Sequence, residues 1–283
     1  MKPNSMNSAW QRSTLGYKER FVDDFHYNNV RVRQFPCRAV FEKALCDAFG
    51  SSFITEDHLY GANNCYGDDN DTDRVPDTAF TVWESSILLG MYASRKDIWK
   101  RLIGTRRLKH SRPIVTLELG AGTGVASLLV ATNNRESKCD CQVVMTDLPS
   151  TMNFTRLNVH ANIDKIPANV QIVTQPLRWG RIEDIEALPR DISRPDIIFG
   201  ADLLYTCDET VIYALAETVM QLTKRVAVFA VCKLHRPQSI TYFLSLVDRC
   251  FDIRHVAVST AHEDLMASDE DFGIIELWRK KFR

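Results

Sequence analysis

The chain has 283 residues, 45% of them hydrophobic, with 35 Lys/Arg against 36 Asp/Glu and a formal net charge of -1. That size and apolar content suit one large α/β domain with decorations, and the balanced charge gives no global pull toward nucleic acid or an anionic membrane. No apolar run reaches the ~18 residues of a membrane span, and Met1 to Leu15 is polar with no signal-peptide core, so a soluble intracellular protein is expected.

Residues 1–16 read as loosely attached. Between Phe21 and Phe35, Val30, Val32 and Phe35 lie among polar residues and Asn28-Asn29 suits a turn, which predicts a short β-hairpin ended by Pro36. Ala39 to Phe49 has apolar residues at 40, 41, 44, 45, 48 and 49, a helical spacing. Residues 50–76 read as an inserted loop. Between Glu56 and Asp77 stand seven carboxylates and one arginine, Arg74; this is either a solvated loop or an acidic lip that attracts a basic substrate.

Thr81-Val-Trp-Glu84 fits a capping box with Thr81 as the cap, opening a helix through Ile87, Leu88, Met91 and Tyr92 with Trp83 in its first turn. Residues 95–112 carry eight Lys/Arg and one Asp and read first as a solvated surface, second as a partner or RNA patch. If that helix runs antiparallel to the next strand, Trp83 and the acidic loop fall on the ligand side and the basic run on the far side.

Ile114 to Leu119 is a β-branched and leucine run, a buried strand. Gly120-Ala-Gly-Thr-Gly124 follows, then apolar residues at 125, 126, 128, 129 and 130, so a helix starts near Thr123. Such a turn lets backbone approach a ligand closely, or is simply a tight βα connection. A dinucleotide fingerprint counted from Gly120 needs glycine at 125, where Val125 stands. Further strands are predicted at Gln142–Thr146, Val170–Val173, Asp196–Gly200, Val226–Cys232, Ile253–Val258 and Ile274–Trp278. Helices are predicted at Ser150–Ile163, Ile182–Leu188, Glu209–Leu222 and Ile240–Cys250. This alternation implies a mostly parallel sheet covered on both faces, closing in a hairpin. The eight cysteines, at 37, 46, 65, 139, 141, 207, 232 and 250, have no zinc spacing. They read as small buried hydrophobes, with no metal expected.

Open α/β sheets bind ligands beyond the carboxyl ends of their strands. Those ends carry the glycine turn, Asp147, Trp179 and Ala201 to Tyr205. Asp147, 25 residues beyond Gly122, either accepts from two ribose hydroxyls or caps the next helix before Pro149. Trp179 is an adenine wall or a packed loop anchor; Trp83 has the same two readings, or faces a sulfonium. Asp202 and Tyr205 share a face at i, i+3. Asp202 either orients a substrate ammonium, with Tyr205 walling its channel, or caps the next helix while Tyr205 packs.

Four features together resemble the non-SET protein lysine methyltransferases of methyltransferase family 16. They are Val82-Trp83-Glu84, Leu117 to Gly124, Pro176-Leu-x-Trp-Gly180, and Gly200-Ala-Asp-Leu-Leu-Tyr205, which matches the family's Asp-x-x-Tyr/Phe signature. The family often has Asp where this chain has Glu84. The resemblance implies a Rossmann-like seven-stranded α/β fold, mostly parallel with an antiparallel terminal strand, over residues 79–283. Residues 1–78 would be an extension with the hairpin, a helix and the acidic loop. It implies S-adenosylmethionine as cofactor, contacted by Trp83, Glu118, Gly120, Ala121, Gly122, Asp147, Trp179 and Ala201, with Asp202 and Tyr205 at the transfer site.

It further implies methylation of a lysine in a cytosolic protein, as for members acting on a AAA ATPase, Hsp70 chaperones and elongation factors. The location would be cytoplasmic, with the nucleus open, and the chain a monomer. The acidic loop suggests a basic patch around the target. Asn-Pro-Pro-Tyr is absent, which argues against nucleic acid or glutamine as acceptor. Transfer to histidine or arginine, a silent S-adenosylmethionine-binding protein, and a nicotinamide dehydrogenase are the alternatives.

Overall fold

A computed structural model describes residues 24–27, 29–34, 47–48, 78–104, 112–133, 139–234, 237–258 and 269–281. The segment 1–16, nearly all of the helix at 39–49 and the acidic loop at 50–76 lie outside them. Strands β1 (Phe25–Tyr27) and β2 (Val30–Val32) form the antiparallel hairpin. Helices α1 (Glu84–Ser94) and α2 (Lys96–Ile103) lead to β3 (Ile114–Leu119), α3 (Val125–Asn133) and β4 (Cys141–Asp147). There follow α4 (Met152–His160), β5 (Val170–Pro176), α5 (Ile182–Glu186), β6 (Ile197–Ala201), α6 (Glu209–Leu222), β7 (Val226–Cys232), α7 (Pro237–Val247), β8 (Phe251–Val256) and β9 (Phe272–Arg279).

Seven strands make one sheet in the order β5-β4-β3-β6-β7-β9-β8. The pairs β5–β4, β4–β3, β3–β6 and β6–β7 are parallel, whereas β9 is antiparallel to both its neighbours. The expected antiparallel terminal strand is thus present, and β8 and β9 form the expected hairpin at the end of the sheet, with β9 between β7 and β8. Alternate residues serve opposite faces, as the period of two requires. Ile114, Val143 and Phe199 join one apolar layer with α1, α3 and the hairpin. Val115, Val144 and Ile198 join the other with α6 and α7. The central strand β3 is buried at every position, while the edge strand β8 exposes Asp252, Arg254 and His255.

Two local expectations change. The capping box does not form: Trp83 occupies the cap position of α1 in extended backbone with no side-chain cap bond. Thr81 instead donates its hydroxyl to Gln34 Oε1 at 2.9 Å, because the chain arrives packed against β2, which offers a buried acceptor. The basic run is also not uniformly solvated. Arg112 pairs with Asp196 at 3.0 Å, and Arg101 reaches the buried Glu276 of β9 through two 2.7 Å bonds.

Glu276 is 1% exposed and also accepts from the Tyr92 hydroxyl at 2.6 Å and Trp278 Nε1 at 2.9 Å. Burial pushes its carboxyl up, but the bonds from Arg101, Tyr92 and Trp278 outweigh it and hold the group below its ordinary range. Arg101→Ala leaves a buried charge with two donors. It should cost about 2 kcal/mol, short of the full penalty because the guanidinium faces solvent on one side. Denaturant unfolding tests this, and an unchanged midpoint would show that water replaces the arginine. Arg101→Lys should recover only part, since one ammonium cannot span both oxygens.

Candidate functional site

Because β3 to β7 run parallel, the carboxyl ends of β3, β4, β5 and β6 meet on one edge. The chain runs outward from β3 to β5 and then returns to β6 beside β3. That reversal places a crevice beyond β3 and β6.

The turn after β3 takes left-handed backbone at Gly120, with φ 59°, and Gly122, with φ 50°. A Cβ on Gly120 would stand 2.6 Å from Leu203 Cδ2 and 3.2 Å from Trp179 Cζ2. A Cβ on Gly122 would stand 3.2 Å from the Ala79 carbonyl oxygen. The fold therefore gathers three separate sequence features around this turn: the Trp179 loop, the Asp202-Leu-Leu-Tyr segment and the approach to Trp83. A side chain in the turn would disrupt all three.

Hydrogen bonds hold the turn open in this shape. Ala121 N donates to the Thr146 carbonyl at 2.9 Å, and Gly122 N donates to Asp147 Oδ2 at 2.7 Å. Thr155 Oγ1 donates to the Gly122 carbonyl at 2.8 Å, and Asn158 Nδ2 to the Thr123 carbonyl at 3.1 Å. Asp147 Oδ1 accepts from Leu148 N at 2.7 Å. The carboxylate is partly exposed. It does not cap α4, whose cap position is Thr151.

Glu118 lies beneath the turn, 2% exposed, with Oε2 accepting from Ser127 N in the first turn of α3 at 3.2 Å. Burial pushes its pKa up to about 7; the Ser127 bonds oppose this and the nearby Asp147 charge adds to it. An unfolded glutamate gives up its proton near 4.5, before the folded one does. This group's contribution to stability therefore falls as pH rises from about 4.5 to about 7, then levels. Glu118→Gln should remove that share of the slope. Melting of parent and variant across the window checks it, and parallel curves would contradict it.

Trp179, partly buried, packs on the apolar layer of α6 and α7. Its loop is anchored by Gly180 N donating to Thr218 Oγ1 at 2.8 Å. Trp83, also partly buried, donates Nε1 to the Thr78 carbonyl at 2.8 Å. Ala201 ends β6. Asp202 is, among the described residues, the one non-glycine with positive φ, 53°, a conformation that costs most residues but that Asp tolerates. Its N–H donates to the Ala230 carbonyl at 2.9 Å, and its Oδ1 accepts from Cys232 N at 2.8 Å.

The capping alternative for Asp202 fails. Helix α6 is capped by Asp208, which accepts from Thr210 N at 2.9 Å. Tyr205 is 54% exposed, while Leu203 and Leu204 beside it are buried. Sequence reasoning missed Gln34, Thr155, Asn158 and Asn162. The available signal was Asn158 and Asn162, polar and four apart on a helix face that is otherwise buried.

A protein-family model described as "Lysine methyltransferase" matches residues 69–250. The protein N-lysine methyltransferase METTL21A of Xenopus tropicalis is 28% identical over 178 residues, 63% of this chain and 71% of that protein. EEF1A lysine methyltransferase 3 of the same organism is 31% identical over 131 residues, 46% of this chain and 47% of that protein. Among solved structures, magnesium protoporphyrin IX methyltransferase of Synechocystis PCC 6803 with bound SAM shares 16% identity, 84% of this chain and 97% of that one, at a TM-score of 0.42.

Proposed function

The chain belongs to the lysine methyltransferase family, and from that premise we propose that it transfers a methyl group from S-adenosylmethionine to a lysine of a protein substrate at the β3–β6 edge. One observation supports this reading: the glycine turn, Asp147, Trp179 and Leu203, the neighbour of Asp202, are far apart in sequence yet come together there. The residues fit a nucleoside sulfonium. The turn leaves room that a Cβ would fill, Asp147 is a partly exposed carboxylate of the kind that accepts from ribose hydroxyls, and Trp179 presents an aromatic surface beside Gly120. Ala79, shortly before Trp83, lies against Gly122 and brings the start of α1 to the same turn. Ala121 and Ala201 offer small contacts, and Glu118 supports the turn from below.

When bound, S-adenosylmethionine supplies a methyl group on a positively charged sulfur, which an unprotonated amine accepts. A free lysine has a pKa near ~10.4, so the protein must favour loss of its proton. Asp202 holds the incoming ammonium, and its bond from Cys232 N fixes the direction of the carboxylate. Tyr205 walls the entrance. Desolvation between these groups, Leu203 and Leu204 disfavours the charged lysine and aids its deprotonation. Rate comes from position and dryness rather than from a covalent intermediate.

The acidic stretch at 56–77 suits a substrate with basic residues around its target, such as a translation factor, chaperone or AAA ATPase. Among the described residues no helix is long and apolar enough to cross a membrane, and we place the enzyme in the cytoplasm, acting as a monomer. The test is transfer of labelled methyl from S-adenosylmethionine into a cell extract, followed by mass spectrometry of the labelled band. Label on a lysine Nζ is expected. Label confined to histidine or arginine would overturn the assignment.

A further inference from the structure

We propose that the N-terminal strand β2 is a positioning element for the cofactor, tying together the two walls of its site through Gln34 and Asn158. The proposal rests on the reading of the glycine turn as the cofactor site. Gln34, buried just past the end of β2, accepts at Oε1 from both Thr81 Oγ1 and Val82 N, each at 2.9 Å. These are the residues immediately before Trp83, which has no side-chain cap bond of its own to set the start of α1. One buried amide oxygen therefore sets how the chain enters that wall.

The neighbouring residue serves the other wall. Arg33 N donates to Asn158 Oδ1 at 2.8 Å, and Asn158 Nδ2 donates to the Arg33 carbonyl at 3.4 Å and to Thr123 in the glycine turn at 3.1 Å. One helical turn further, Arg31 N donates to Asn162 Oδ1 at 2.9 Å and the Arg31 carbonyl accepts from Asn162 Nδ2 at 2.6 Å. The spacing explains the fit. Two extended residues advance ~6.6 Å and four helical ones ~6 Å, so Asn158 in α4 and Asn162, in the turn just past its end, meet alternate backbone units at Arg33 and Arg31. Both asparagines are fully buried. Phe25, Val30 and Val32 seal the opposite side of the hairpin into the apolar layer.

The residues just past β2 are thus tied to Thr123 through Asn158 on one side and directly to Thr81-Val82 on the other, yet they supply none of the proposed cofactor contacts. Loosening either grip should widen the crevice and weaken cofactor binding without touching the transfer residues. Linkage makes the coupling reciprocal: if docking of β2 favours the cofactor, the cofactor favours docking of β2 by the same factor.

The test uses the full chain. Gln34→Met keeps volume and loses the acceptor, so calorimetry should read S-adenosylmethionine affinity about tenfold weaker. Gln34→Glu, which keeps an acceptor oxygen, should recover most of it, and the turnover number at saturating cofactor should change little. In the parent, adding S-adenosylhomocysteine should slow amide exchange at Arg31 and Arg33, which needs no variant to fold. Equal affinity of parent and Gln34→Met, or hairpin exchange indifferent to the ligand, would overturn the proposal. A parent that binds neither ligand would instead overturn the cofactor site itself, and the proposal with it.

Discussion

Asp202→Asn is expected to cut methyl transfer at least ~100-fold while leaving S-adenosylmethionine affinity within about twofold. The choice of variant follows from the backbone. Asp202 sits at φ 53°, which asparagine tolerates almost as well as aspartate and alanine does not. Asparagine also keeps an oxygen to accept from Cys232 N, so the loop after β6 should stay in place. What disappears is the negative charge facing the incoming ammonium. If the charge positions the lysine, single-turnover methylation collapses while calorimetric cofactor binding survives. Asp202→Ala confounds the two by straining the backbone, and should lose stability as well. Full turnover in Asp202→Asn would reduce Asp202 to a link between the ends of β6 and β7.

Asp147→Ala should weaken S-adenosylmethionine binding by about 100-fold, since hydrogen bonds to a charged partner contribute ~1.5–3 kcal/mol each when lost. Two effects add here. The carboxylate now accepts from Gly122 N and Leu148 N, and under the proposal it also accepts from the ribose. A comparison with a 2′,3′-dideoxy analogue separates them. The parent should discriminate strongly against the analogue, and Asp147→Ala should not, because the partner of the missing hydroxyls is already gone. Equal discrimination by both proteins would limit Asp147 to shaping the glycine turn. Unchanged affinity for the natural cofactor would remove both roles.

Most of the sheet was readable from apolar periodicity. Helix α6 and strands β3 and β7 have the expected bounds, and β4, β6 and β9 differ from expectation by only a few residues. Such segments carry their own signal, because a buried parallel strand must be apolar throughout and a helix must show its apolar stripe. The failures cluster where a polar side chain had to choose a partner. Thr81 preceded the right spacing for a capping box, yet found Gln34 across the fold. For Asp202, of the two readings left open, the cap falls away because Asp208 caps that helix. In both cases the partner near in sequence gives way to the one near in space.

The sequence by itself determined the alternation of strands and helices, the glycine turn at Gly120–Gly124, and which strand ends carry acids and aromatics. Each of these is a local property of backbone freedom or of burial. Only the tertiary structure decided that β9 slips between β7 and β8, that Glu276 takes Arg101 as its partner, that Asp202 binds Cys232, and that a strand near residue 33 holds a turn near residue 123. A carboxylate or a side-chain amide can satisfy its hydrogen bonds with almost any neighbour. Which neighbour it meets is set by how the layers pack, after the chain has folded back on itself.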